Sequence, residues 1–259
     1  DEILDYGYDL QPLDENRQKI KDYRAIGLGV FGFGDALVAL GLRYGSEEAI
    51  AWSGTVFKEI FLQALRTSNR LAKEKGPFDK CRPELLLRAP ILQFVEKESP
   101  ELWTDICRYG LRNASLLAIA PTGTISTMCG FSGGIEPLFQ IAYKRTTHSL
   151  VKDGRYFDVF AKSVKDLMAF HNIDPATSAA ELQNRFPFIV TAHEIDSVDR
   201  VKMQAAIQRH VDNAISSTVN MDEGTATEEV MEVYKQAWKS GCKGVTVFVK
   251  GCKRTAILG

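Results

Sequence analysis

Apolar residues recur at helical spacing between Glu47 and about Lys75. They occupy the positions Ile50, Trp52, Val56, Phe57, Ile60, Phe61 and Leu65. Residues three or four apart lie on the same face of a helix, so this stripe predicts a long amphipathic helix that packs against a core. The pattern ends before Gly76-Pro77, a pair that breaks helices. We assign the helix a packing role and no chemistry.

Three further segments have helical patterns. They are a short segment over residues 100–109, an amphipathic segment from Asp196 to about Val211, and a segment that begins at Thr227. The last has glutamates in its first turn and ends at Gly241, features that are typical of the two ends of a helix. The sequence therefore predicts three more helices.

Short apolar or β-branched runs separate these helices. They are residues 115–120 (SLLAIA), 216–221 (SSTVNM) and 244–249 (GVTVFV), and each predicts a strand. Helices and strands that alternate at short spacing indicate an α/β fold. The chain contains no internal repeat and no Pro/Ser-rich linker, so we expect residues 1–259 to form a single domain.

Composition narrows the range of partners. With 45% hydrophobic and 25% charged residues, the chain is typical of a globular protein. It has 32 Lys and Arg against 33 Asp and Glu, which gives a net charge of -1. No long-range positive field attracts nucleic acid or an anionic membrane, so we expect neither as a partner. Any bound anion must be held by local geometry.

The remaining composition signals favour a cytoplasmic protein without a metal. No apolar run approaches the roughly 20 residues of a membrane helix, and the acidic start has no signal-peptide pattern. The five cysteines form no CxxC pair, and Cys242 and Cys252 are too far apart for a zinc knuckle. The four histidines share no metal-ligand spacing. The abrupt start leads us to expect a further segment in front of this chain.

The strongest candidate for chemistry follows the predicted strand at residues 115–120. Its sequence is Pro121-Thr122-Gly123-Thr124-Ile125-Ser126. A strand that ends in a glycine-containing turn and a helix start directs backbone N–H groups outward, where they can bind a diphosphate. The loop lacks the lysine and the spacing of a Walker A motif, so ATP hydrolysis is not implied. The alternative is an ordinary Thr/Ser helix cap.

A second glycine motif lies near the N-terminus. Residues 27–32 (GLGVFG) match GxGxxG, and Glu47 follows at about the distance that a dinucleotide fold requires. The residues in front of it, 21–25, are polar and do not predict the strand that such a fold needs. We therefore favour close backbone packing at a helix start over cofactor binding.

Two residues beside the loop have ambiguous roles. Glu136 lies in the small-residue turn at 130–137, where it is either a functional acid or a carboxylate that binds nearby backbone N–H groups. Cys129 is either an activated thiol near a helix N-terminus or a small apolar residue. We favour the structural interpretation for both and assign Cys129 no catalytic role.

Several segments together resemble the ribonucleotide reductase family. Residues 24–32 (RAIGLGVFG) resemble its RRIGLGVMG segment, while 113–126 (NASLLAIAPTGTIS) and 132–138 (SGGIEPL) resemble the phosphate loop and the following turn of its adenosylcobalamin-dependent class. Residues 203–216 and 241–247 match the same class, so the likeness runs in order over roughly residues 15–255. The combination is specific even though single pieces are not.

The resemblance implies a ten-stranded α/β barrel, of which this chain is the C-terminal half. Pro121, Thr122, Gly123, Thr124, Ile125 and Ser126 would bind the phosphates of a ribonucleoside di- or triphosphate. The family reduces nucleotides through a cysteine thiyl radical, helped by an Asn and a Glu on a finger loop and by two redox cysteines. All of these precede the aligned stretch, so we assign no catalytic residue. An N-terminal half would be supplied as a separate chain or has been lost.

The final predicted strand distinguishes the classes of this family. The iron- and manganese-dependent classes relay a radical through adjacent tyrosines on the corresponding strand. Here the run is Thr246-Val247-Phe248-Val249, which has no phenol. The resemblance therefore implies adenosylcobalamin as the cofactor, although no contact with it can be assigned. The segment 248–254 departs from the family's usual YRDGSR ending.

Two other functions remain open. The first is a non-catalytic nucleotide- or phosphate-binding module that has kept the loop and lost the reaction. The second is a dinucleotide-dependent oxidoreductase that uses Gly27 to Gly32. A half barrel also exposes strand edges and apolar surface, so we expect it to form homo-oligomers.

Overall fold

A computed structural model describes residues 1–146 and 156–251 of the chain. The α-helices of these residues are α1 (Glu2–Gly7), α2 (Asp14–Tyr23), α3 (Phe33–Ala39), α4 (Glu47–Lys75), α5 (Pro83–Leu86), α6 (Val95–Glu98), α7 (Pro100–Tyr109), α8 (Gly123–Cys129), α9 (Lys162–Phe170), α10 (Ala179–Arg185), α11 (Ser197–Gln208) and α12 (Thr227–Lys239). A 3-10 helix spans Pro90–Leu92. The helices that the sequence predicts at 47–75, 100–109, 196–211 and from Thr227 are confirmed as α4, α7, α11 and α12.

Four strands are present in the described ranges, and they form two separate pairs. Strands β1 (Ala142–Thr146) and β2 (Tyr156–Phe160) are antiparallel, with Ala142 opposite Phe160. Strands β3 (Thr218–Met221) and β4 (Thr246–Val249) are parallel, with Thr218 opposite Thr246. The predicted strands at 216–221 and 244–249 are thus confirmed. The chain mixes helices and strands as predicted, while these ranges contain no closed barrel.

The prediction of a regular strand at residues 115–120 is wrong. This segment is extended and makes an isolated parallel bridge between Leu117 and Leu28. Its ladder is short because the Asp212 carboxylate accepts the N–H groups of Leu116 and Leu117, at 3.1 and 2.8 Å. A side chain thus binds two amides that a neighbouring strand would otherwise use.

The described chain groups into two compact units. One consists of residues 1–29, 54–119 and 207–214, and its core includes Phe57, Phe61, Leu65, Ile106 and Leu117. In this unit the Phe61 and Phe94 rings lie 6.1 Å apart, and Phe94 meets His210 edge-on. The stripe on α4 therefore packs in a core, as its spacing predicts.

The other unit consists of residues 30–53, 120–206 and 215–259. Its larger apolar cluster includes Val38, Leu138, Phe160, Val164 and Leu182. A smaller cluster joins Val201, Val219, Val233 and Ala237, and it secures the β3–β4 pair against α11 and α12. The candidate phosphate loop belongs to this second unit.

Candidate phosphate-binding loop

The loop Pro121–Ser126 has an unusual backbone at Thr122. Thr122 is the N-cap of α8 and has a left-handed conformation, with φ 51° and ψ 24°. A β-branched residue rarely adopts this conformation, because its side chain crowds the backbone. A hydrogen bond holds it there: the Thr122 Oγ1 atom accepts the Gly134 N–H at 2.8 Å. The loop conformation therefore depends on the turn that contains Gly134.

Three consecutive backbone amides at the start of α8 are open, which means that they are exposed and have no hydrogen-bond acceptor in the described residues. Gly123, Thr124 and Ile125 are exposed, and their N–H groups make no hydrogen bond within the described residues. The first N–H groups of a helix have no intrahelical acceptor, and the helix dipole adds positive potential at this end. The six loop residues carry no charge, so the backbone provides the attraction for an anion. This arrangement can bind a phosphate group.

One side chain of the loop stabilises its conformation, and two others can donate hydrogen bonds to a ligand. The Ser126 side chain is buried and donates to the Gly123 carbonyl at 3.3 Å, while its N–H donates to the Thr122 carbonyl at 2.9 Å. Ser126 thus supports the loop from inside. Thr122 still has its hydroxyl hydrogen to donate, since it accepts from Gly134. Exposed Thr124 has no side-chain bond within the described ranges.

The turn at residues 130–137 packs directly behind the loop. A Cβ on Gly133 would lie 2.6 Å from the Pro121 carbonyl oxygen, so only glycine allows this approach. The Ser132 carbonyl accepts the Gly32 N–H at 2.7 Å, and the Asp35 carboxylate accepts the Ser132 N–H at 2.7 Å. The start of α3 therefore fixes one end of the turn.

The first glycine motif has a packing role. Gly32 has φ 74° and caps α3, and a Cβ on Gly29 would overlap the Ala118 carbonyl oxygen. Helix α2, followed by the left-handed residue Arg24, precedes the motif where a dinucleotide fold requires a strand. The motif therefore lacks the structural context of a nicotinamide site, and the glycines allow close backbone contacts instead.

A buried charged cluster fixes the other end of the turn. The Arg200 guanidinium contacts both the Tyr44 hydroxyl and a Glu136 carboxylate oxygen. The second Glu136 oxygen accepts the Thr218 N–H at 2.9 Å, and the Tyr44 hydroxyl donates to the Ile135 carbonyl at 2.8 Å. Glu136 thus binds a backbone N–H, as the structural interpretation predicts, and it also pairs with an arginine that the sequence does not indicate.

Burial shifts the pKa values of both charged partners. It raises the pKa of Glu136 to about 8, and the hydrogen bond from the Thr218 amide acts in the opposite direction. It lowers the pKa of Arg200 to about 9. Both shifts have the same cause, since a charged group loses hydration when it is removed from water. The contact between the two side chains offsets this cost.

The cysteines and histidines are the remaining candidates for a reactive centre. Cys129 is the last residue of α8, so it lies at the wrong end of the helix for its dipole to activate the thiol. Burial raises the pKa of the Cys81 and Cys242 thiols. Groups of three metal-ligating side chains are absent from residues 1–146 and 156–251, and His148 and Cys252 lie outside the described residues.

Among the helices that the structure describes, none combines the length and apolar character needed to span a bilayer.

Comparison with known proteins identifies the family. The ribonucleotide reductase barrel domain family matches residues 1–248. A vitamin B12-dependent ribonucleoside-diphosphate reductase from Mycobacterium tuberculosis is 32% identical over all of this chain and 35% of its own length. Another from Thermoplasma acidophilum is 30% identical over 95% of this chain and 31% of its own length. A ribonucleoside-diphosphate reductase subunit alpha from Chlamydia pneumoniae is 28% identical.

The chain belongs to the ribonucleotide reductase barrel domain family. It spans about a third of the length of the curated relatives that it matches. The family resemblance in the glycine, loop and turn segments is therefore confirmed.

Sequence reasoning found the loop and the turn but missed the residues that fix them. Tyr44 and Arg200 lie 91 and 65 residues from their partner Ile135, and no local pattern connects them. The sequence does indicate the role of Asp35, since this residue is a single acid in the otherwise apolar segment Phe33–Ala39. A lone carboxylate on an apolar helix predicts a buried hydrogen-bonded acid.

Proposed function

We propose that this chain is the part of a ribonucleotide reductase that binds the phosphates of a ribonucleoside di- or triphosphate. Residues Pro121, Thr122, Gly123, Thr124, Ile125 and Ser126 form the site. The observation that carries the proposal is the set of three exposed amides at Gly123, Thr124 and Ile125, which have no partner within the described residues. Such amides at a helix start provide donors and positive potential for an anion.

The proposed roles within the loop follow from its hydrogen bonds. The amides of residues 123–125 and the hydroxyls of Thr122 and Thr124 donate to phosphate oxygens. Pro121 and Ser126 shape the loop, because Pro121 packs against Gly133 and Ser126 bonds within the loop. The site thus recognises phosphate oxygens by geometry and not by side-chain charge.

The proposal extends to the fold and to the rest of the enzyme. Residues 1–259 would form one domain, the C-terminal half of the family's ten-stranded barrel, in the cytoplasm. Reduction of the ribose would require the N-terminal half of the barrel, which carries the radical cysteine in this family. The relatives are about three times as long as the matched region, which leaves room for these residues. We assign no catalytic residue to this chain.

Adenosylcobalamin is the proposed cofactor of the complete enzyme. Several relatives are named vitamin B12-dependent, and the strand β4 has Phe248 where a tyrosine relay would need a phenol. Bound adenosylcobalamin would supply the radical that starts the reaction. The described residues contain no arrangement that identifies a corrin site, so we place no contact and no step of the reaction on them.

The alternative is a phosphate-binding module without catalysis, and the same open amides support it. Addition of an N-terminal reductase half and an assay for deoxynucleotide formation separate the two functions. Turnover in the mixture favours the enzyme, while binding without turnover for every tested half favours the module.

The variant Gly123→Ala tests the binding site itself. Apart from its chain neighbours and the backbone of its own helix, a Cβ at Gly123 meets no atom of the described residues within 4 Å, so we expect folding stability to be unchanged or up to about 1 kcal/mol higher. The methyl group would obstruct the close approach of a phosphate, so affinity for ADP should fall about tenfold, or about 1.4 kcal/mol. Calorimetric titration with ADP and with inorganic pyrophosphate measures both affinities.

Met128→Ala is the matched control for this test. Met128 lies in the last turn of α8 and is 82% exposed, so its truncation removes no hydrogen bond of the loop. Its affinity for ADP should stay within about twofold of the original protein. Equal ADP affinity in Gly123→Ala and in the unaltered chain would contradict the proposed site.

A further inference from the structure

We propose that Tyr44, Arg200 and Glu136 are positioning residues for the phosphate loop. The inference rests on the proposed function, since it assigns the cluster a role in phosphate affinity. Within the described residues, the three side chains make no hydrogen bond or ion pair with the loop, and they act through the turn at residues 130–137. We therefore separate their effect on the loop from their effect on stability.

The cluster of Tyr44, Arg200 and Glu136 fixes two neighbouring parts of the turn, the backbone of Ile135 and the side chain of Glu136. Tyr44 is only 2% exposed, and its hydroxyl donates to the Ile135 carbonyl at 2.8 Å. The Arg200 guanidinium, whose side chain is 3% exposed, contacts the Tyr44 hydroxyl and the adjacent Glu136 carboxylate. Ile135 and Glu136 thus have little freedom to move.

Glu136 ties the turn to two other elements. One carboxylate oxygen contacts Arg200 on α11, and the other accepts the Thr218 N–H at the start of β3. The Arg200 Nε atom donates to the Thr218 carbonyl at 3.3 Å, which closes a ring of contacts. A carboxylate that uses both of its oxygens and a planar guanidinium impose direction as well as attraction.

The turn connects the cluster to the loop through two contacts. Gly134 directly precedes Ile135, and its N–H donates to the Thr122 hydroxyl oxygen at 2.8 Å. Gly133 packs against the Pro121 carbonyl, with no room for a Cβ. These two contacts support the left-handed conformation of Thr122, which sets the direction of the amides that follow.

The stability of the fold does not by itself explain why these charged side chains are buried together. Removing two charges from water costs free energy that their attraction only partly recovers, and apolar residues of the same volume often stabilise as well or better. Directional bonds, in contrast, hold one backbone geometry. A binding site built from amides depends on that geometry, because its donors must converge on the ligand.

The variant Tyr44→Phe tests the inference with little change in packing. It removes the hydroxyl that donates to Ile135 and keeps the buried ring. We expect affinity for ADP to fall about fivefold, the equivalent of one lost hydrogen bond. Hydrogen exchange of the Gly134 amide, followed by NMR in the ligand-free chain, should accelerate, because its bond to Thr122 opens more often.

Two controls separate positioning from stability. Tyr234→Phe makes the same chemical change on an exposed ring of α12 and should alter neither readout. Ile106→Ala truncates a fully buried side chain of α7, in the compact unit that does not contain the loop, so it lowers stability without removing a contact of the turn. We expect Ile106→Ala to retain ADP affinity within about twofold, in spite of its larger stability loss.

The outcomes distinguish this inference from the proposed function. Unchanged ADP affinity and unchanged Gly134 exchange in Tyr44→Phe would overturn the positioning role, as would an equal affinity loss in Ile106→Ala. If the unaltered chain binds neither ADP nor pyrophosphate, the proposed function fails. The Gly134 exchange rate then still decides whether the cluster holds the turn.

Discussion

Replacement of Arg200 by methionine is expected to lower the free energy of unfolding by about 3 kcal/mol, near the lower end of the range for breaking a buried ion pair. Arg200 is buried, and its loss leaves the Glu136 carboxylate without its charged partner. It also removes the donors to Tyr44 and to the Thr218 carbonyl. Glu136 retains 28% side-chain exposure, so solvent screens part of the cost. Urea unfolding, followed by circular dichroism at a pH between the pKa values of Glu136 (about 8) and Arg200 (about 9), where both groups are charged, measures the change.

The double variant Arg200→Met/Glu136→Gln shows whether the pair is coupled. Because the glutamine carries no charge, the double variant should recover part of the stability lost in Arg200→Met. Lys202→Met is the matched control on the same helix. Its side chain is 52% exposed and pairs with Asp199 at 2.9 Å, so we expect a change within about 0.5 kcal/mol. Equal losses in Arg200→Met and Lys202→Met would contradict the coupling.

Gly133→Ala is expected to disrupt the loop and to destabilise the fold by about 1–3 kcal/mol, the usual cost of overpacking. The added Cβ would lie 2.6 Å from the Pro121 carbonyl oxygen, which is a backbone atom that cannot rotate away. The loop and the turn must therefore separate, and the Gly134 bond to Thr122 would lengthen. Affinity for ADP should fall more than tenfold, since several amides lose their alignment together. Thermal unfolding and ADP titration measure the two effects.

Gly123→Ala is the matched control, because the same methyl group there meets no atom within 4 Å in the described part of the chain, apart from its own helix and chain neighbours. The two variants should thus differ in stability while both bind ADP weakly. A Gly133→Ala protein as stable as the unaltered chain would show that the turn does not pack against Pro121.

Local patterns predicted the elements that depend on neighbouring residues. Three elements were predicted from residue types at short spacing along the chain, and all three are present: α4 from its apolar stripe, α12 from its acidic first turn and β4 from its β-branched run. The position of the loop before a helix was also predictable, since Gly123 and the Thr/Ser residues mark the start of α8. The identity of the family followed from the order of several such segments.

Long-range contacts were not predictable from these patterns. The Asp212 carboxylate binds two amides about 95 residues away and replaces part of the expected strand at 115–120. Arg200 looks like an ordinary surface residue of an amphipathic helix, yet it is buried against Tyr44 and Glu136. Such pairings depend on the tertiary fold, which a periodic pattern does not specify.

A nitrogen-15 NMR titration of the chain with ADP and with inorganic pyrophosphate tests the phosphate site most directly. We expect both ligands to shift the amide signals of Gly123, Thr124 and Ile125 most strongly, and we expect these amides to exchange rapidly before the ligand is added. Saturating ligand that leaves these three signals unchanged, or that shifts a different region instead, would contradict the proposed phosphate site.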